Sequence, residues 1–355
     1  MGSWGSIDPG ESTLASNYFT ITAENTIING SNLTIDLDLN NADGYSRTEP
    51  LHIKVGDVSE TDPLGPDNHG YYIFDSGDLG YNNAPFYDWI EIDPNEGGNG
   101  VDIQISDGGN GNNISNSTKY IDLPFDFSFY GETYDEVSVN SNGWISFGHT
   151  NMESFRNYPI PGAGGPSPMI AAFWDDLETG SSGDVYYEEF NDYVVIEWSD
   201  MRTQNNNSLE TFQIILYDNS AQPYGDNEIK IQYKEFNNTS DGYYPEGGAP
   251  QHGCYSTIGI ENKYANQGLQ YTFNNQYSAG ASVLSDGEAI FITTTPPFIF
   301  YGDVNGDEIL NVLDVVILVN MVLGGIAQDM IGDMNQDEIL NILDVVILVS
   351  IVLGG

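Results

Sequence analysis

The chain has 355 residues, with eight Lys or Arg against 53 Asp or Glu and a formal net charge of −45. That balance excludes a nucleic-acid partner, because phosphate neutralisation needs basic side chains, and it disfavours an anionic membrane surface. Charged residues are only 17% of the chain, so its polar surface is mostly Asn, Ser, Thr, Gly and Tyr rather than that of a disordered polyelectrolyte.

The single cysteine, Cys254, rules out an internal disulfide. Sparse Lys with abundant Gly, Asn and Tyr suits a secreted or cell-surface β protein. The opening MGSWGSIDPG has no apolar core segment of a signal peptide. Self-repulsion at this net charge opposes compaction, and bound divalent cations or salt relieve it.

From the N-terminus, TIINGSNLTIDLDLNNA alternates with period 2. Leu33, Ile35, Leu37 and Leu39 share one face; Thr34, Asp36 and Asp38 share the other. The turn NADG and a second short run, LHIKVGD, follow. TDPLGPDNHGYYIFDSGD is rich in turn residues, APFYDWIEIDP comes next, and GGNGVDIQISDGGNGNN reads as a linker or hairpin tip. Residues 1–105 resemble the Ig-like accessory modules of secreted bacterial proteins, with a Gly/Asn-rich linker to 117.

Residues 118–297 carry strand-like runs at turn-separated intervals: IDLPFDFSFYGETYDEVSVNSNGWISFG, MIAAFWDDL, GDVYYEEF, YVVIEWSDM, TFQIILYD, EIKIQYKEF, STIGIEN and AIFIT. No helical period competes with them, so the spacing predicts an antiparallel β-sandwich. The order of SVNSNGWISFG, IAAFWDDL, GDVYY, VIEWSDM and TFQIILYD is similar to that of the nidogen-like (NIDO) extracellular domain. A related arrangement accompanies secreted bacterial peptidases. The resemblance implies an extracellular module.

Inside this region the acidic cluster Trp174-Asp175-Asp176, with Glu178 and Asp184 nearby, reads as a solvated strand end, with a cation site as the runner-up. His252 and Cys254 lie in a loop-like stretch with nothing evident to lower the thiol pKa. His52, His69, His149 and His252 have no metal spacing. Tyr243, Tyr244 and Tyr255 sit in a Gly/Pro-rich stretch and make a glycan a further candidate ligand. No enzymatic activity is expected.

The last segment is one sequence written twice. GDVNGDEILNVLDVVILVNMVLGG fills 302–325 and GDMNQDEILNILDVVILVSIVLGG fills 332–355, with 19 of 24 positions identical at a period of 30. Each copy opens with spaced oxygen side chains and continues as an apolar run. In the first, Asp303, Asn305, Asp307, Asn311 and Asp314 occupy loop positions 1, 3, 5, 9 and 12, and Ile309 offers the carbonyl at position 7. In the second, Asp333, Asn335, Asp337, Asn341 and Asp344 do so, with Ile339 at position 7. Such spacing makes an oxygen cage for a hard cation, and the absence of Cys and His favours Ca²⁺ over zinc or copper. Two Ca²⁺ are expected.

The pattern D-x-N-x-D-x-x-x-N-x-x-D before an apolar helix, twice, resembles a type I dockerin. That family implies Ca²⁺-dependent docking onto a cohesin-like domain. Position 6, normally Gly for φ > 0, is Glu308 and Glu338 here. Positions 10 and 11, often Ser or Thr in dockerins, are Val312 and Leu313, then Ile342 and Leu343. These departures point away from a cellulosomal cohesin. Helices apolar all round need cover on more than one side, and runs of about 13 residues cannot cross a bilayer. Val312, Leu313, Val316, Val319, Ile342, Leu343, Val346 and Val349 are the expected docking face, for a cohesin-like domain or another copy of the chain.

The whole chain is therefore expected to be mostly β. An Ig-like β module over 1–105 precedes an antiparallel β-sandwich over 118–297. A small all-α dockerin-like module with two Ca²⁺-binding loop–helix repeats fills 298–355. The expected role is a non-catalytic extracellular or cell-surface module that displays or anchors through its C-terminus, without membrane insertion. The alternatives are a Ca²⁺-dependent self-assembling subunit, as of a filament or surface layer, and an accessory part of a larger secreted peptidase or glycoside hydrolase.

Overall fold

The structure, a computed structural model, describes residues 7–8, 11–12, 20–21, 27–41, 43–109, 117–219, 225–242, 253–297, 301–305, 310–326, 330–335 and 339–354. It divides into two compact units, Met1–Gly56 and Asp57–Gly355.

In the first unit β1 (Asn32–Asn40) pairs antiparallel with β2 (Ser46–Lys54). Asn41 closes the connection by accepting the amides of Asp43 and Tyr45 on its side-chain oxygen. The period-2 alternation is visible in burial: Ile35, Leu37 and Leu39 are half-buried, while Thr34, Asp36 and Asp38 are exposed. Among the described residues this unit has these two strands.

The second unit adds β3 (Tyr72–Asp75), β4 (Val101–Asp102), β5 (Thr118–Phe129), β6 (Glu132–Asn140), β7 (Trp144–Phe147), β8 (Met169–Trp174), β9 (Leu177–Glu178), β10 (Asp184–Glu189), β11 (Tyr193–Thr203), β12 (Leu209–Tyr217), β13 (Ile229–Phe236), β14 (Thr257–Glu261), β15 (Gly268–Phe273), β16 (Gln276–Tyr277) and β17 (Glu288–Thr293). One sheet runs β3-β17-β13-β12-β11-β10-β4, with β9 on β11; the other runs β16-β15-β14-β8-β7-β6-β5. Both are antiparallel, as the strand spacing predicts.

One expectation is corrected. Residues 57–105 are not the second half of an Ig-like module, because β3 pairs with β17 and β4 with β10 inside the sandwich. The pairing of Ile290 with Asp75 spans more than 200 residues of chain. No local pattern could reveal it.

The core lies between the sheets. Val194, Ile196 and Trp198 alternate inward on β11, and Phe212, Ile214 and Leu216 on β12. They meet Val137, Val139, Ile145, Ile170, Phe173 and Ile258 of the other sheet. Phe173 and Phe212 stack across the gap at 5.6 Å. Each fully buried side chain of this size stabilises by about 1.5–3 kcal/mol. Two polar atoms in the core reach partners on the opposite sheet: Trp198 Nε1 donates to the Asn140 carbonyl at 2.9 Å, and the Tyr233 hydroxyl to that of Ala172 at 2.8 Å. The turn before β7 needs glycine. Gly143 has φ +74°, and a Cβ there would lie 2.0 Å from the Phe173 carbonyl oxygen.

The outer face of the first sheet is covered as well. Residues 86–93 form an extended strap across β13, β12 and β11. Asp88 exchanges two hydrogen bonds with the Gln232 side chain, at 2.6 and 2.8 Å. The Gln213 amide donates to the Ile90 carbonyl, and Ile92 N–H to Glu197 Oε2 at 3.3 Å. Beneath the strap Ile92 packs with Tyr186, Val195 and Ile215. This cover explains why β11 and β12 are apolar nearly throughout rather than alternating.

Candidate metal loops and docking face

Two helices follow the sandwich, α1 (Val312–Val322) and α2 (Ile342–Gly354). Their starts are built alike. Asn311 is the N-cap of α1, its side-chain oxygen accepting the Leu313 amide at 2.7 Å. Asp314 answers from the first turn: Oδ2 accepts Asn311 N–H at 2.9 Å and Oδ1 accepts Asn305 N–H at 3.3 Å. In the second copy Asn341 accepts the Leu343 amide at 2.8 Å, and Asp344 accepts Asn341 N–H at 2.7 Å and Asn335 N–H at 3.4 Å. A carboxylate in the first turn also faces the positive end of the helix dipole. These reciprocal caps satisfy backbone donors that a helix start leaves open.

Four carboxylates of this segment are buried: Asp303, Asp314, Asp333 and Asp344. The stretch 297–355 contains no Lys, Arg or His to balance them. An ionised carboxylate has about four acceptor sites, so Asp314 and Asp344 keep capacity beyond their two backbone donors. This donor set, all oxygen and all anionic or amide, fits a hard divalent cation. Asn311 and Asn341, the residues expected at position 9, serve as helix caps here. Asn341 also donates to the Ile339 carbonyl at 2.8 Å, tying two expected ligands together. Asp307, Ile309 and Asp337, with Glu308 and Glu338, lie outside the described residues. Among the described residues no group of three or more His, Cys, Asp or Glu is arranged to hold a metal ion.

The two copies pack reciprocally around a small core of Leu318, Met321, Leu340, Val345 and Leu348. A Cβ on Gly302 would lie 2.7 Å from Leu348, and one on Gly332 would lie 2.5 Å from Leu318. These contacts are related by the 30-residue repeat. Six of the expected docking residues remain exposed in matched pairs: Val312 and Ile342 at 63% and 60%, Leu313 and Leu343 at 58% and 55%, Val316 and Val346 at 54% and 56%. The other two, Val319 and Val349, are half-buried against the helix-pair core and leave the face.

Elsewhere the carboxylates behave differently. Asp175 and Asp176 are fully buried, not a solvated strand end. Asp175 Oδ1 accepts the Asp176 amide at 2.8 Å, and burial pushes the carboxyl well above the usual carboxylate range. Glu210, also fully buried, takes the amides of Asn237 and Asn238 and the Ser208 hydroxyl; burial pushes it up to about 7. Asp78 and Glu197 are each pushed up to about 8 by burial. Glu210, Asp78 and Glu197 were missed in the sequence, although Glu197, like Gln213 and Gln232, stands as a polar residue inside an apolar strand run. Tyr243, Tyr244 and His252 lie outside the described residues, and Tyr255 is half-buried. Cys254 is buried, its thiol directed to the Asp241 carbonyl and Asn274 Oδ1 at 3.0 Å each.

Known proteins agree with the sandwich. A two-sheet antiparallel domain with an apolar core and buried strand centres is the class that the fold defines. Residues 99–296 match the family model described as NIDO related, more than half of the chain. The chain belongs to the NIDO-related family. The match begins just before β4, leaves out β3, which pairs with β17 in the same sheet, and ends before the C-terminal repeats. An 80-residue stretch is 34% identical to alpha-tectorin of Mus musculus, covering 22% of this chain and 4% of that protein. The chain thus corresponds to a small part of this relative. No solved structure matches it. No helix among the described residues is long and apolar enough to cross a membrane.

Proposed function

We propose that the chain is a non-catalytic extracellular module of the adhesion type. In this reading the NIDO-related sandwich is the body, and the C-terminal repeats are a dockerin-like element that takes two Ca²⁺ and docks onto a cohesin-like protein domain. The family membership and the alpha-tectorin likeness support the extracellular adhesion part. The observation that carries docking is the matched apolar face of α1 and α2, with six large aliphatic side chains more than half exposed beside four buried carboxylates. Exposed apolar patches of this kind mark interaction sites. Asp303, Asn305, Asp314, Asp333, Asn335 and Asp344 would hold the ions, together with the carbonyls at position 7. A cation there neutralises the loop carboxylates; the residues themselves set the helix starts and present the face.

Calorimetric titration of the metal-stripped chain with Ca²⁺ tests this reading. About two ions per chain are expected, lost in the Asp303→Ala plus Asp333→Ala variant. An unchanged stoichiometry in that variant would sink the loop assignment. A second reading, self-assembly, is favoured by the pairing of the exposed residues across the repeat, since a self-complementary face can meet a second copy. Light scattering that reports a monomer at all concentrations, with or without chelator, decides against it. A glycan is a lesser candidate ligand: Tyr255 lines a cavity of about 340 Å³ with Asn237, Asn238, Asn275 and Tyr277, and among the described residues no charged side chain lines it.

A further inference from the structure

The strap over the first sheet rests on a row of three polar side chains. Glu197 on β11, Gln213 on β12 and Gln232 on β13 are register partners on one face, and all are fully buried. Gln232 is satisfied by Asp88. The other two each keep one oxygen, Glu197 Oε1 and Gln213 Oε1, buried without a hydrogen-bond partner. Directly opposed residues of an antiparallel pair have Cβ atoms about 5 Å apart, so these two acceptors fall within side-chain reach of each other. An acceptor left buried without a donor carries the full desolvation penalty of its group. One proton between them resolves both.

We propose that Glu197 is held as a neutral acid whose O–H is donated to Gln213 Oε1, and that this shared proton fastens the strap to the sheet, so that the strap loosens as pH rises. The surroundings favour the neutral form. Glu91 and Asp93 face Glu197 from the strap, Tyr186 is its register partner on β10, and Lys234 on β13 is the nearby cation. Lys234 is already engaged, its ammonium 2.6 Å from Glu91 Oε2. Burial is the largest influence on Glu197 and pushes it from 4.5 to about 8.

The direction follows from linkage. In the docked strap Glu197 keeps its proton to about pH 8, whereas once lifted into water it ionises near 4.5. Lifting therefore releases a proton between those values. The opening equilibrium constant should rise about tenfold per pH unit across that window and level off above it. Below it the strap is tightest. Lifting exposes Ile92, Val195 and Ile215, an apolar surface that the docked strap hides.

Amide exchange at Asp88 and Ile92 in the full chain, corrected for intrinsic base catalysis, reads the opening. The wild type should show the tenfold-per-unit rise, and E197Q should be flat, because its amide donates to Gln213 at every pH. A flat wild type, or an E197Q profile parallel to it, overturns the proposal. Should E197Q fail to fold, carboxyl ¹³C NMR of the wild type decides. A Glu197 midpoint near 8 supports the shared proton, and one near 4.5 overturns it.

Discussion

The sandwich and the C-terminal repeats both bury carboxylates and both contain runs of consecutive apolar residues, yet they treat each differently. In the sandwich, Glu210 and Glu197 are buried among backbone amides and hydroxyls and pushed towards the neutral form. The apolar strand centres are covered on both faces, by the facing sheet and by the strap. In the repeats, Asp314 and Asp344 cap helices in a segment without a single basic residue, and the apolar helices stay exposed along a matched face. One region is finished within the chain. The other, in the reading proposed above, takes a cation and a partner from outside. Stability of the sandwich should answer to pH, and that of the repeats to calcium.

The largest expected effect tests the second half of that contrast. Stripping Ca²⁺, or combining Asp303→Ala with Asp333→Ala, should abolish the helical circular dichroism of the repeats while the sandwich transition stays in place. At free Ca²⁺ 1,000-fold above its dissociation constant the ion contributes about 4 kcal/mol. If chelator moves the sandwich transition instead, the separation fails. Next comes Trp198→Ala, which should cost the sandwich about 3–5 kcal/mol in denaturant unfolding and leave the calcium stoichiometry untouched.

A smaller effect sharpens the pH half. Glu210 is held at about 7 in the fold against 4.5 when free. Its contribution is fully present below 4.5 and is lost as pH rises towards 7. Sandwich stability should therefore fall across that window, by at most about 1.4 kcal/mol per unit for this group, and Glu210→Gln should flatten that part of the curve. A stability rising over the same range in wild type would contradict the burial argument. The smallest effect on folding belongs to Val316→Ser plus Val346→Ser. Stability should change by about 0.5 kcal/mol or less per exposed site, while docking or self-association weakens at least tenfold.

Much of the sandwich was legible because strand alternation and turn residues are local. The runs around IDLPFDFSFYG, YVVIEWSDM, TFQIILYD and EIKIQYKEF became β5, β11, β12 and β13. Residues 57–105 were assigned to the wrong neighbour because β3 and β4 are fixed by distant partners. The loop spacing located the C-terminal helices and the buried aspartates. It could not say that Asn311 and Asn341 would be taken up as caps, since Asn suits both a ligand position and an N-cap. Nor could apolar content alone separate Val316, exposed, from Val319, packed inward; that depends on where the second helix lies.

The reciprocal seating of Gly302 under Leu348 and Gly332 under Leu318 has a further consequence. Each half supplies the socket for the other half's leucine, so a single repeat has no complete core and cannot be a folding unit. A side chain larger than hydrogen at either glycine would press on the leucine that seats the opposite copy's helix. Duplication in this protein is therefore a requirement for cooperativity rather than a doubling of capacity. A lesion in one loop should be felt in both.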